Sequence, residues 1–212
     1  MAKREQIPTD RLIVVPAHAA SWRDLQAVFG TRGNAARCQC QRFKMWPGES
    51  WASVGTDELA HRLRVQADCE QPEASSTAGL VCYHDELPVG WCAVEPRSAY
   101  RRLLRDNRVP WAGRTEDKLD SSVWAVTCFV TRAGYRRRGV SAALARAAVG
   151  YAQQRGARAL EGYPLLTQPG QEIAAGELHV GSRSIFAAAG LVQVSAPTTR
   201  RVVMRIDFAG LP

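Results

Sequence analysis

The sequence has few of the residues that mark fibrous, disordered or membrane-crossing chains. Glycine and proline number only 17 and 11 among 212 residues, too few for a collagen-like or low-complexity chain. No stretch approaches the roughly 20 consecutive apolar residues of a membrane-crossing helix. The start, Met1-Ala-Lys-Arg-Glu-Gln-Ile-Pro8, has two basic residues but no apolar run behind them, so the pattern of a secretory signal is missing. Two phosphate-binding motifs are also missing: there is no G-x-x-x-x-G-K-[ST] and no G-x-G-x-x-G after a strand, which removes support for nucleoside triphosphate and dinucleotide folds. Gly48-Glu-Ser-Trp-Ala52 begins like a hydrolase nucleophile elbow but lacks the final glycine and the strand-turn-helix setting.

Cysteine is present six times, at 38, 40, 69, 82, 92 and 128. With no export signal, and in a chain long enough to build its own core, these read as reduced thiols in a cytoplasm. Cys38-Gln-Cys40 resembles half a metal site, but no second Cys or His pair follows at finger-like spacing, so no metal is expected. Lysine is scarce. Of 28 basic residues only Lys3, Lys44 and Lys118 are lysine, and with 20 acidic residues the net charge is +8. An excess of arginine points to an anionic partner without choosing among nucleic acid, an anionic membrane surface and a phosphorylated small molecule.

What is present is an ordinary globular composition, 46% apolar and 23% charged, whose length predicts one domain over 1–212. Arg11-Leu-Ile-Val-Val-Pro16 reads as a first strand, and Trp22, Leu25, Val28 and Phe29 fall at helical spacing behind a Ser21 cap. The stretch 32–54 shows no clean period and reads as loop-rich, and a helix capped by Thr56 follows. Residues 79–94 form a strand, a tight turn at Asp85-Glu86-Leu87 and a second strand, an antiparallel hairpin. A strand over 122–130, a helix from Val140 to Arg155 and a strand over 157–163 make a β-α-β unit. A short helix over 182–189 and two strands, 191–194 and 201–206, complete a mixed α/β (α+β) chain.

The segment between the 122–130 strand and the following helix is Thr131-Arg-Ala-Gly-Tyr-Arg-Arg-Arg-Gly-Val-Ser141. A helix N-terminus exposes N–H groups and the positive end of the dipole, so it suits phosphate. Gly139 allows close approach of an anion, and Arg136, Arg137 and Arg138 add charge; the alternative is a solvated basic turn. Arg136-Arg-Arg-Gly-Val-Ser141 resembles the [QR]-x-x-G-x-[GA] loop of the GNAT N-acetyltransferases, which binds the acyl-CoA pyrophosphate. The order of elements over about 79–208 is similar to that family's, with 11–78 as a first strand, helices and a Cys- and Trp-bearing elaboration. Ser141 replaces the usual Gly or Ala, Phe186 stands where many members carry a tyrosine that protonates the departing thiolate, and His179 stands where an asparagine is common.

The resemblance implies a mostly antiparallel mixed sheet flanked by helices, with acetyl-CoA as co-substrate and direct attack of an amine on its thioester. It implies that the backbone of Cys128, Phe129, Val130 and Thr131 pairs with the pantetheine arm, and that Arg136, Arg137, Arg138, Gly139, Val140 and Ser141 hold the pyrophosphate. The acceptor would be the primary amine of a small molecule or peptide, with no membrane or nucleic acid partner and with pairing of two copies left open. The 123–131 strand offers no carboxylate as base. Glu161 is the best-placed substitute, with Glu95 second, each against the alternative of a structural ion pair. Tyr163, Ser184 or water could serve the leaving thiolate, whose ordinary pKa near ~8.5 makes it a tolerable leaving group. Cys128 reads as packing rather than as a nucleophile. The insert over 95–121 carries Arg97, Arg101, Arg102, Arg105 and Arg108, which suit an acidic acceptor or a solvated helix face. Trp46, Trp51 and Trp91 are expected in the core more than in a pocket. Two non-enzymatic readings stay open: a non-catalytic acyl-CoA sensor and a basic nucleic-acid-binding module.

Overall fold

A computed structural model describes residues 5–105, 108–166 and 176–208. Lys3 and Arg4 of the basic N-terminus, and Asp106 and Asn107 of the arginine-rich insert, lie outside them. The elements run β1 (Leu12–Pro16), α1 (Trp22–Phe29), α2 (Gly33–Cys38), α3 (Trp51–Val54), α4 (Thr56–Ala67), β2 (Gly79–His84), β3 (Leu87–Pro96) and α5 (Arg101–Arg105). Then come β4 (Val123–Thr131), α6 (Val140–Gln154), β5 (Ala159–Gly162), α7 (Arg183–Ala187), β6 (Val192–Ser195) and β7 (Val203–Asp207).

The seven strands form one sheet in the order β1-β2-β3-β4-β5-β7-β6. Every neighbouring pair is antiparallel except β4 and β5, which run parallel because α6 connects them. The expected hairpin forms around Asp85 and Glu86, both in the left-handed region at φ 49° and 64°, the conformation that a two-residue turn between twisted strands requires. Ser21 caps α1 by accepting the Asp24 N–H at 3.0 Å.

Two local expectations are corrected. The 32–54 stretch is not merely loop: it contains α2 and the single turn α3, which lack a long apolar period because each is too short to show one. Ser50 starts α3 with a reciprocal bond to Ser53. Thr56 does not cap α4; Gly55 holds the cap position at φ 84° and Thr56 is the first helical residue.

The sheet separates the apolar core. On one face α6 lays Val140, Leu144, Ala148 and Tyr151 against Leu80, Cys92, Val94 and Val126 of the central strands. Alanines on the same helix let its axis lie close, and burying Leu144 alone contributes about 1.5–3 kcal/mol. On the other face α1 packs Leu25, Val28 and Phe29 over Val81, Trp91 and Ala93, and Tyr100, Leu103, Ala125, Tyr163 and Val203 form an adjoining cluster. Trp91 is fully buried as expected, whereas Trp46 is 51% exposed, its ring covered by Arg101 at 3.7 Å. No described helix is long and apolar enough to cross a membrane.

Candidate functional site

The parallel pairing of β4 and β5 stops early. Val126 faces Gly162 as the last matched pair, yet β4 continues to Thr131. Among the described residues no strand pairs with the β5 side of β4 beyond Val126, so the strands part there, and the short turn at 178–180 lies alongside β4 instead of a strand. The register with β3 slips at the same place: Cys128 faces Ala93 and Val126 faces Val94, leaving Thr127 as a bulge. Cys128, Phe129, Val130 and Thr131 all lie on this free length.

The loop after β4 leads into a helix that begins at Val140, where the sequence predicts one. Gly139 is the N-cap of α6 at φ 95°, a conformation that suits glycine, and the first intrahelical bond runs from the Ala143 N–H to the Gly139 carbonyl at 3.0 Å. The N–H groups of residues 140–142 are therefore orphaned at the positive end of a four-turn helix. Ser141 shares a hydroxyl contact of 3.2 Å with Thr131, tying the helix start to the strand end. A segment that the sequence did not connect to this loop lies against it: the Ile7 N–H donates to the Arg138 carbonyl at 3.1 Å and the Gln6 amide to the Arg137 carbonyl at 2.9 Å. Arg138 returns a bond to the Glu5 carbonyl at 3.2 Å. The arm thus occupies loop carbonyls, fixing Arg137 in the left-handed region at φ 61°.

Glu161 sits on the opposite face of β5 from α6, fully buried. Its carboxylate accepts from Arg205 at 2.7 Å, Arg97 at 3.3 Å, the Tyr163 hydroxyl at 2.7 Å and, closest of all, Arg114. Burial pushes this carboxyl up, but the hydrogen bond and charge of Arg114, the Tyr163 hydroxyl and Arg97 outweigh it and hold the group below the usual carboxylate value. Tyr163 is held in return, its phenol pushed well up by burial and then by the Glu161 charge. Arg97 also lies 4.6 Å from the centroid of Trp111, whose ring Lys118 approaches at 5.3 Å. Glu95, the second carboxylate considered, is ion-paired to Lys44.

The thiols are packing groups. Cys40 accepts from the Trp91 indole N–H at 3.2 Å, and Cys128 lies in the same cluster, its thiol pushed well up first by a hydrogen bond with Cys40 and then by burial. Cys38 is raised to about 12, chiefly by burial. Phe186 packs edge-on against Phe129 with centroids 5.7 Å apart.

Sequence reasoning overlooked Arg114 and Arg205, which hold Glu161, and the bulge at Thr127. Only the Arg205 position, inside an alternating strand, carried a signal: a charged residue facing inward needs a buried partner.

Comparison with known proteins places this arrangement. The profile of the Acetyltransferase (GNAT) family matches residues 41–166, more than half of the chain. Two solved structures share the fold at a TM-score of 0.50: a GCN5-related N-acetyltransferase from Kribbella flavida, 15% identical, with 95% of this chain and 100% of that one covered, and a GNAT-family acetyltransferase from Bacillus anthracis, 9% identical, with 95% and 97% covered. The PaiA N-acetyltransferase of Thermoplasma acidophilum, solved in complex with coenzyme A, is 11% identical with a TM-score of 0.48, with 93% of this chain and 99% of that one covered. No match emerges among curated proteins. On the family profile, and with the expected sheet and loop in place, the chain belongs to the GNAT family of acetyltransferases.

Proposed function

We propose that this protein transfers an acetyl group from acetyl-CoA to a primary amine of a small molecule or peptide, by direct attack within a ternary complex. One observation carries the reading: a helix start with orphaned N–H groups and a left-handed glycine follows directly on a strand whose outer edge is unpaired beyond Val126. That pairing of features suits a ligand with a pyrophosphate at one end and an amide-bearing arm at the other. Val140 and Ser141 would hold the pyrophosphate through backbone N–H groups, with Gly139 giving room and Arg136, Arg137 and Arg138 supplying charge. Cys128, Phe129, Val130 and Thr131 would pair with the arm. Acetyl-CoA supplies the activated thioester, and a backbone N–H beside the Thr127 bulge would stabilise the developing oxyanion.

Within this reading Glu161 and Tyr163 are positioning residues. Both Glu161 oxygens accept from arginine, so the carboxylate is a weak proton acceptor, and the Tyr163 hydroxyl is directed at it. They anchor β5 where it leaves β4. Cytoplasmic residence and a single domain over 1–212 belong to the same proposal.

A sensor without turnover is the second reading. It is favoured by the ion-paired state of both Glu161 and Glu95 and by Phe186 in place of a hydroxyl. Release of CoA thiol, corrected for hydrolysis and measured across a panel of amines, separates the two: amine-dependent release supports the transferase, and acetyl-CoA binding without release supports the sensor.

A further inference from the structure

The segment Glu5-Gln6-Ile7 lies far from the arginine-rich loop in sequence, yet its hydrogen bonds all go to the residues just before α6. The Gln6 side-chain amide donates to the Arg137 carbonyl at 2.9 Å and the Ile7 N–H to the Arg138 carbonyl at 3.1 Å, while Arg138 Nε donates back to the Glu5 carbonyl at 3.2 Å. Ile7 anchors the segment, since its side chain is 5% exposed and belongs to the core that α6 builds against the sheet. Gln6 is exposed. Its side-chain oxygen nevertheless lies 3.3 Å from where a Cβ on Gly139 would stand, with the Ile7 carbonyl at 3.8 Å. The segment therefore covers one side of Gly139 closely.

What this does to the loop follows from the planar peptide bond. The carbonyl and N–H of a trans peptide point in opposite directions, and every peptide bond among the described residues is trans. Where Gln6 and Ile7 take the Arg137 and Arg138 carbonyls, the N–H groups of the same two peptides, those of Arg138 and Gly139, are turned to the far side. Neither N–H has a hydrogen-bond partner among the described residues. Arg137 at φ 61° and Gly139 at φ 95° give the chain its left-handed steps. Successive N–H groups gathered by such steps form a concavity that suits an anion. A non-glycine residue stays left-handed only where its surroundings hold it, and the Gln6 bond to the Arg137 carbonyl is one such restraint.

We propose that Glu5-Gln6-Ile7 is part of the acetyl-CoA site. By holding two loop carbonyls away from the ligand, this clamp aims the N–H groups of Arg138 and Gly139 at the pyrophosphate, beside those of residues 140–142, and Gln6 is a positioning residue for the co-substrate. The proposal rests on the assignment of the loop to the pyrophosphate. Arg138 belongs to the clamp as well as to the loop: its guanidinium bonds Glu5 and lies 5.6 Å from the Tyr135 ring centroid.

The test is an NMR titration of the full chain with CoA and with pantetheine, which lacks the pyrophosphate, in the wild type, Gln6→Ala and Gly139→Glu. Gln6→Ala removes an exposed side chain and leaves the Ile7 anchor, so its urea midpoint should match that of the wild type. Losing one hydrogen bond that orders the loop should weaken CoA binding about 3- to 10-fold and leave pantetheine binding unmoved. In the wild type, CoA should slow amide hydrogen exchange at Arg138 and Gly139 as well as at residues 140–142, and the slowing at 138 and 139 should shrink in Gln6→Ala. An unchanged CoA affinity in Gln6→Ala, an equal loss for CoA and pantetheine, or slowing confined to residues 140–142 would each overturn the clamp and leave the loop assignment standing. Wild-type CoA affinity in Gly139→Glu would contradict the loop assignment itself, and the clamp falls with it.

Discussion

The ring of Phe186 lies over Gly162 so closely that a Cβ at position 162 would stand 2.4 Å from two of its ring carbons. Gly162 is the last β5 residue matched to β4, so this contact sits where the two strands part. Phe186 is almost fully buried between Gly162 and Phe129 and cannot swing away. Gly162→Ala is therefore expected to cost about 1–3 kcal/mol by overpacking. Urea unfolding should show the midpoint falling with an unchanged slope.

Glu161→Gln should be more damaging. The substitution keeps the shape but leaves Arg97, Arg114 and Arg205 sharing only Glu116 and Asp207. Removing one partner of a buried ion pair costs about 3–5 kcal/mol, and loss of thermal stability larger than that of Gly162→Ala is expected. Because the folded pKa of Glu161 lies below its ordinary value, its contribution is fully present above about pH 4.5 and is lost as pH falls through the depressed value. The stability gap between wild type and variant should be constant near neutrality and narrow in acid, as read from denaturant midpoints at several pH values.

Gly139→Glu should abolish acetyl-CoA binding. It sets a carboxylate among the orphaned N–H groups and forces a side chain into φ 95°, with the Gln6 side-chain oxygen 3.3 Å from the new Cβ. A loss of about 100-fold or more is expected by calorimetric titration, with circular dichroism confirming the fold. Retained affinity would refute the loop assignment.

Cys128→Ala tests whether the thiol on β4 takes part covalently. With its thiol pushed well above the ordinary value, Cys128 has little thiolate at neutral pH to act as a nucleophile. Thiol release should persist in the variant within about threefold, a change of under about 1 kcal/mol, and mass spectrometry of the wild type should find no acetyl group on Cys128.

Much of the fold was legible because strand and helix periods are written in the order of apolar residues. The hairpin at Asp85-Glu86, the α6 stripe from Val140 to Tyr151 and the helix start at Val140 all follow from local chemistry. Short-range readings failed where elements are brief, as in α2 and α3, or where a glycine displaces a polar cap, as Gly55 does before Thr56. What the sequence could not show is which distant charges meet. Arg114 and Arg205 reach Glu161 from an insert and from another strand, and the Ile7 arm meets Arg138 from more than a hundred residues away. Arg97, Arg101 and Arg102 of the insert looked like acceptor ligands because their partners, Glu161, the Trp46 ring and the Glu49 carbonyl, were invisible.

The central claim is acetyl transfer from acetyl-CoA to an amine. Its most direct test is mass spectrometry of the acceptor after incubation with acetyl-CoA carrying an isotopically labelled acetyl group. The label is expected on the amine nitrogen in step with free CoA, and absent with Gly139→Glu. Labelled acetate as the sole product, with every amine unmodified, would contradict the account.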